Sequence, residues 1–424
     1  MSKHKTHLII GNSAAALSAI KAMRKMGDSG PIILISAEDC NAYSPVLTTY
    51  YIGGQIQRSD LFLVDEQFYR KFDVRRLLGR KAVHIDLVKR LVHLDNRSKV
   101  TYEDLLIATG ASARRLNSVE PDAAEYVTTL RTLRDADRII TRAEGAKEIV
   151  FVGAGLVSLQ TLKAVLDRGA KVTLVVGSYQ VLSQQLDTEA AAIIQKKLEV
   201  EGVTILLGRG VDRVVRMGDH VQLITSFGET LPADLVIVGK GVHPNTDVAK
   251  NTEIRIGLGI FVDDQMRTNV EDVYAAGDVA EGKNSITGQM EVIATWSNAC
   301  AQGEIAGLNM AGYPAKCRGQ FRDNVTTLLG VAAVSMGLYK TEEGEFKELR
   351  YVDEEGAVYR KLFLDGSRLV GALLLGRITD AGVIRHCIAN NLDVSAWEDR
   401  VAMSPLDFGH ILLGRDFSMP FFRT

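Results

Sequence analysis

The sequence predicts an α/β protein in which two parallel-sheet units are followed by a smaller α+β domain. Three observations lead there. A short apolar strand, His7 to Ile10, runs into Gly11-Asn12-Ser13-Ala14-Ala15-Ala16 and then a helical pattern from Leu17 to Met26. A second strand, Ile149 to Val152, runs into Gly153-Ala154-Gly155-Leu156-Val157-Ser158, followed by a helix to Arg168 and a strand at Lys171 to Val176. Beyond about Tyr313 the pattern changes to alternating stretches, Val358 to Leu364 and Leu369 to Leu375, joined across Asp365-Gly366-Ser367-Arg368 and followed by a helix at Ala381 to Ala389. The first two are strand–turn–helix units in the outline of G-x-G-x-x-G, and the third reads as a hairpin over a turn rich in breakers.

In the first unit Ser13 and Ala16 stand at the second and third glycine places, so small residues occupy every critical position. Backbone amides at the start of the following helix would cradle a pyrophosphate, aided by the positive helix end. The strand Pro31 to Ile35 then leads to Glu38, where the fingerprint calls for an acid on a ribose 2′-hydroxyl. Tyr102 to Gly110 is a buried strand closing in Ala-Thr-Gly, and Arg131 to Arg142 reads helical. Thr268 to Ala280 holds the apolar run Val273-Tyr274-Ala275-Ala276, which stops at Gly277-Asp278. A carboxylate at a strand end can grip a polyol, although a bare Gly-Asp also fits an ordinary turn.

Composition narrows the class. At 424 residues, 46% hydrophobic and 24% charged, the chain has material for two to three globular domains. A formal net charge of −2, with no long Lys/Arg block, leaves no basic footprint for nucleic acid. No run approaches the eighteen or so apolar residues of a membrane span, and the cytoplasm is the default compartment. Cys40, Cys300, Cys317 and Cys387 lie far apart without C-x-x-C spacing, so neither a zinc site, an iron–sulfur cluster nor a disulfide framework is indicated.

The ordered set of an N-terminal dinucleotide turn, an Ala-Thr-Gly strand, a second turn and an Ala-Ala-Gly-Asp strand resembles the pyridine nucleotide-disulfide oxidoreductase superfamily of flavoproteins. Tyr50-Tyr51-Ile52-Gly53-Gly54, Leu130-Arg131-Thr132, Pro244-Asn245-Thr246 and Leu369-Val370-Gly371-Ala372 resemble its branch of NADH:rubredoxin reductases and nitrite reductase flavoproteins. The resemblance implies two Rossmann-like domains, with an NAD domain (residues 117–246) inserted in a discontinuous FAD domain (1–116 and 247–314), and a C-terminal α+β interface domain (315–424). It implies FAD at Gly11, Ser13, Ala14, Ala15, Glu38, Pro45, Val83, Thr109, Gly110, Gly277, Asp278 and Trp296, and NAD at Gly153, Gly155, Leu156, Val157 and Gly241. Val83 would offer backbone to adenine and Asp278 would hold the ribitol region. Trp296 would precede a helix, Ser297 to Met310, aimed at the flavin, with a core aromatic as the alternative.

Two departures shape the functional expectation. Val46 stands where thiol-dependent relatives carry a redox cysteine, so the flavin itself carries the chemistry and no side chain is assigned as catalytic. Electrons would pass between nicotinamide and a one-electron carrier, an iron–sulfur or rubredoxin-like protein. In the second turn Ser158 replaces the third glycine, Gln160 replaces a usual Glu, and Val176 occupies the place of the ribose-binding acid. The stretch Asn41 to Leu47 is similar to flavin subunits of phenylglyoxylate dehydrogenase and tungsten aldehyde oxidoreductase complexes, which implies a subunit of a larger complex that reduces NAD. A non-catalytic flavin-binding assembly subunit with a degenerate NAD site and a free-standing NADH:carrier reductase are the alternatives. The apolar tail Phe408 to Thr424 either docks on a partner or returns to its own domain.

Overall fold

The computed structural model describes residues 5–317, 320–342, 344–353 and 358–395, so the tail Phe408 to Thr424 lies outside the described residues. Two compact units emerge, one from the described residues of Met1–Val175 and Arg209–Gln320, the other from those of Val176–Gly208 and Phe321–Thr424.

In the first unit, β1 (His7–Ile10), α1 (Ala14–Lys25), β2 (Ile32–Ser36), β3 (Val74–Leu78) and β4 (Asp104–Ile107) appear in order. They are followed by β5 (Val127–Thr129), α2 (Leu133–Ala143), β6 (Glu148–Val152), α3 (Leu156–Leu166) and β7 (Lys171–Val176). Later come β8 (Leu235–Val238), β9 (Val273–Ala275) and α4 (Trp296–Met310). The first sheet is parallel, in the order β9-β4-β1-β2-β3. All residues of β1, β4 and β9 are buried, which is why, past the opening His7 and Asp104, these strands read as apolar runs rather than alternations. A second parallel arrangement runs β7-β6-β8-β5. Between the two sheets the chain crosses twice, and the crossings pair antiparallel, Ala111–Ala113 against Val242–Pro244.

The return of β9 to the first sheet, some 170 residues after β4, is held at both ends. At its start Asp272 pairs with Lys5 (2.9 Å) and Arg90 (2.9 Å), and Lys5 also pairs with the buried Asp104 that opens β4 (2.8 Å). Beyond its end, α4 packs on α1 with backbones nearly touching. A Cβ at Gly303 would sit 2.2 Å from the Ala15 carbonyl oxygen, and one at Gly307 would sit 2.4 Å from that of Ala19. Small residues four apart on both helices make this approach feasible, since any side chain would hold the axes at ordinary spacing.

The second unit holds the helix Thr188–Val200 and a five-stranded antiparallel sheet. Its strands β10 (Asp323–Leu328), β11 (Val331–Gly337), β12 (Lys347–Asp353), β13 (Val358–Asp365) and β14 (Arg368–Leu375) pair in the order β10-β11-β14-β13-β12. The expected hairpin is β13–β14, turning at Gly366 with φ of 58°, and the expected helix α5 spans Ala381–Ala389. Arg360 and Asp380, both almost fully buried, form a two-pronged ion pair, with Nη1 to Oδ1 at 2.9 Å. Asp187 caps the helix Thr188–Val200 and also accepts the Tyr359 hydroxyl (2.5 Å), tying that helix to the sheet.

Element boundaries moved in two informative places. The first helix starts at Ala14, three residues before the apolar periodicity begins, because the turn residues Ala14 to Ala16 already wind it and are buried. Trp296 is the first residue of α4 rather than the residue before it. Gly303→Ala should force α1 and α4 apart and cost about 1–3 kcal/mol of unfolding free energy, as overpacking does. Denaturant titration of the variant reads this directly, and an unchanged midpoint would show that the helices can separate freely.

Candidate functional site

The C-terminal ends of β1, β2 and β4, three neighbours in the sheet, surround a cavity of about 570 Å3 lined by Gly11–Ser13, Ser36–Glu38 and Ala108–Ser112 among others. This is the carboxyl edge where open α/β sheets take ligands. Gly11 has a φ of 128°, and a Cβ there would lie 2.0 Å from the Ala108 carbonyl oxygen, so only glycine lets β1 turn beside β4. At the start of α1, Ser13 is the N-cap residue, yet its side chain makes no cap bond and the first turn holds no acid. The opening amides are thus left for an anion from the cavity. α2 is the contrast: Thr132 caps it, and Asp135 completes the capping box inside its first turn.

At the far end of the cavity Glu38 accepts the Tyr43 hydroxyl at Oε2 (2.9 Å), and that hydroxyl oxygen accepts the Leu133 amide at the start of α2 (3.0 Å). Tyr43 therefore orients the carboxylate while leaving its second oxygen to a ligand. Desolvation by the cavity walls pushes the Glu38 carboxyl upward, aided by the Asp135 charge and opposed by the Tyr43 hydrogen bond and Arg131. Val83 lines the same end and falls in a β-bulge: Ala82 faces Leu94 and His84 faces His93, leaving Val83 without a partner in the ladder.

Where β4 leaves the sheet, Asn245 stitches the two crossings together. Its side-chain amide donates to the Thr109 carbonyl (2.9 Å), its Oδ1 accepts the Ser112 hydroxyl (2.6 Å), and its own carbonyl accepts the Thr109 hydroxyl (2.7 Å). Thr109 thus spends its hydroxyl on the junction and presents backbone and methyl to the cavity. Arg131 enters from the strand–helix turn before α2, donating from Nε to the Ala111 carbonyl (2.8 Å) and from Nη2 to Asp278 (2.7 Å). Asp278 follows Gly277 at the end of β9. Gly277 needs its positive φ of 83°, whereas the space around it would accept a Cβ in ordinary contact.

The second turn repeats the first. Gly153, with φ of 101°, would place a Cβ 2.4 Å from the Gly239 carbonyl oxygen. Gly155 is the N-cap of α3 and has no side chain to cap it, the first turn of α3 lacks an acid, and Val157 is exposed there. Gly241 has a φ of 81° and open space on its Cβ side. Ser158 is buried against Gly239, its hydroxyl without a hydrogen-bond partner, and Val176 is buried at the end of β7. A second cavity, about 340 Å3, is lined by residues such as Arg115, Val119, Thr128, Arg138 and Val238, and by none of the second turn.

Of the residues expected at the first site, Gly11, Ser13, Glu38, Pro45, Val83, Thr109 and Gly110 line the cavity. Ala14 and Ala15 form the buried first turn of α1, and Gly277 and Asp278 reach the cavity through Arg131. Trp296 is not a lining residue; it opens α4, whose N-cap Thr295 makes no cap bond. Arg131, Asn245 and Tyr43 were not named as site residues, although the strings Leu130-Arg131-Thr132, Pro244-Asn245-Thr246 and Asn41 to Leu47 pointed at them. Cys40 lines the cavity, but burial and the charges of Glu38 and Asp39 push its thiol up to about 11, so it stays protonated. Because Glu38 is raised in the folded protein, the stability it contributes is full below the ordinary carboxylate pKa and is lost as pH rises through the raised one. Apo wild type should therefore lose ground to Glu38→Gln as pH climbs above the ordinary carboxylate range. Thermal melts of both proteins check it, and a difference flat with pH would count against the raised carboxyl.

Residues 5–303 match the family described as pyridine nucleotide-disulphide oxidoreductase, and residues 325–392 match the rubredoxin NAD+ reductase C-terminal domain. The chain is 32% identical to the NADH-dependent phenylglyoxylate dehydrogenase subunit epsilon of Aromatoleum evansii, over 97% of this chain and 98% of the relative. It is 27% identical to the NADH-rubredoxin oxidoreductase of Clostridium acetobutylicum over 87% of this chain and 92% of that one. A solved NADH:rubredoxin oxidoreductase from Clostridium acetobutylicum superposes with a TM-score of 0.75 at 25% identity, covering 97% of this chain and 100% of that chain. The putidaredoxin reductase of a covalent putidaredoxin reductase–putidaredoxin complex shares the fold, with a TM-score of 0.89 at 21% identity over 97% of this chain and 99% of its own. The chain therefore belongs to the pyridine nucleotide-disulphide oxidoreductase family, whose members bind FAD and NAD(H).

Proposed function

We propose that this chain is an FAD-dependent NAD(H) oxidoreductase that passes electrons between nicotinamide and an iron–sulfur or rubredoxin-like protein, as the flavin subunit of a larger complex that reduces NAD. The observation that carries this reading is the pair of uncapped, acid-free helix starts behind the two glycine turns, one of them opening on a cavity whose only cysteine among the lining residues is held as thiol. The similarity to the phenylglyoxylate dehydrogenase subunit along nearly the whole of both chains supports the complex.

The residues present fit FAD. The amides of the α1 turn would hold its pyrophosphate, Glu38 its adenosine ribose, the bulged backbone at Val83 its adenine, and Asp278 with Arg131 its ribitol and phosphate region. Bound FAD supplies the chemistry, exchanging a hydride with NAD(H) and single electrons with the protein carrier. This chain's part is to orient and to control charge. Arg131 offsets the Asp278 carboxylate, and the uncapped start of α4 provides a positive end in the same part of the fold. NAD(H) would bind the α3 turn through Gly153, Gly155, Leu156 and Val157, with Gly241 leaving room beside it. Val46, half exposed where relatives carry a thiol, leaves direct transfer from the flavin as the exit for electrons.

On this reading residues 1–116 and 247–314 form the FAD domain, 117–246 the NAD domain and 315–424 the interface domain. Among the described residues no helix is long and apolar enough to cross a membrane, and the cytoplasm is the proposed compartment, in keeping with four cysteines that are all free. The buried Val176 and the unpartnered Ser158 favour a second reading, a flavin-binding assembly subunit that has lost its nicotinamide site.

Stopped-flow mixing of the FAD-loaded protein with NADH separates the two readings. Bleaching of the flavin band is the expected result, and its absence at any accessible NADH concentration would leave the assembly role. Native purification should bring iron-containing subunits along with the chain, whereas elution alone points to a free-standing carrier reductase. Asp278→Ala should weaken FAD retention roughly tenfold or more, the scale of losing a charged hydrogen bond.

A further inference from the structure

The turn that presents Asp278 is held by a side chain from α4. Ala276 still donates its amide to the Ile107 carbonyl in the sheet (3.1 Å), and the turn closes on itself through Ala280 N–H to the Gly277 carbonyl (2.9 Å). Between these bonds the Gly277 amide leaves the ladder, and it donates to Oε1 of Gln302 at 2.7 Å. Gln302 is 1% exposed and has a second partner, its Nε2 donating to Oε1 of Gln320 at 2.8 Å. Gln320 is 4% exposed and pressed against Gly282, where a Cβ would meet its carboxamide oxygen at 2.9 Å.

The polarity of this chain of amides has one solution. A backbone N–H can only donate, so the Gln302 oxygen must face Gly277 and its nitrogen must face Gln320. Gln302 is also next to Gly303, the residue seated on the Ala15 carbonyl in the phosphate-facing turn of α1. Two consecutive residues of α4 thus hold the two turns that would flank the cofactor, Gly303 the pyrophosphate turn and Gln302 the carboxylate turn.

We propose that Gln302 is a positioning residue for flavin binding: through Gly277 it fixes where Asp278 stands relative to the phosphate turn, and Gln320 fixes the orientation of its carboxamide. The proposal rests on Asp278 being a flavin anchor. Gln302 meets no ligand itself. Its removal leaves the buried Gly277 amide unsatisfied, and the turn relaxes to find another acceptor, taking the carboxylate with it.

The test is FAD titration of the apo protein, read by quenching of flavin fluorescence, for Gln302→Met, Gln320→Met, Asp278→Ala and the Gln302→Met/Asp278→Ala pair, with the apo melting curve of each. Gln302→Met should weaken FAD about tenfold while the apo protein still melts cooperatively. Gln320→Met, which leaves the first acceptor in place, should weaken it less, by about threefold. In the Asp278→Ala background Gln302→Met should cost less than about twofold more, because the group it positions is gone. Full tenfold loss in both backgrounds would mean general loosening and overturn the proposal. So would unchanged FAD affinity in Gln302→Met when Asp278→Ala binds weakly. If Gln302→Met does not fold, unchanged affinity in Gln320→Met overturns it. Unchanged affinity in Asp278→Ala instead sinks the anchor reading and the proposal that rests on it.

Discussion

The close approach of α1 and α4 is the constraint on which the first unit depends. Ala15 and Ala19 on one helix and Gly303 and Gly307 on the other bring backbone against backbone, and that contact joins the chain's opening residues to a segment near residue 300. The Gly277-Asp278 turn follows from it, because it sits between Ala15 and Ala299. So does the single sheet built from two separated stretches, since β9 can lie beside β4 only if the helix after it fits over α1. A side chain larger than hydrogen at Gly303 would tilt α4 and shift everything it carries.

Helix ends divide the labour of this molecule. Two of the other helices are closed by side chains: Thr132 and Asp135 on α2, Asp187 on Thr188–Val200, each satisfying amides that would otherwise face water. The helices that follow the glycine turns are left open, with no cap bond and no first-turn acid. On the proposed function, a carboxylate in either position would repel the cofactor phosphate and occupy its donors. The same economy explains the Asp278–Arg131 pair. If the cofactor runs past Asp278 as proposed, the Arg131 guanidinium partly offsets the carboxylate beside it.

Much of this was legible because it is local. Strand–turn–helix units, the β13–β14 hairpin and α5 depend on periodicity and on glycine at fixed offsets, and they lie where the pattern put them. The glycine in Gly277-Asp278 was legible too, and its reason is a positive φ at the strand end. Helix starts were misplaced where small buried residues carry no periodic signal, as at Ala14 to Ala16. Tyr43 was missed as the group that orients Glu38, although only five residues separate them, because its value lies in reaching the α2 amide at Leu133.

The sequence by itself determined the class of the protein, the two glycine turns and the absence of a thiol at Val46, since each is a property of a few neighbouring residues. Tertiary structure decided what those turns face. Arg131 reaches Asp278 across 147 positions, Asn245 reaches Thr109 across 136, and Gln302 reaches Gly277 across 25. Each depends on hydrogen-bond geometry that exists only after the sheet has been assembled and α4 has settled on α1, and no periodicity records which distant donor meets which acceptor.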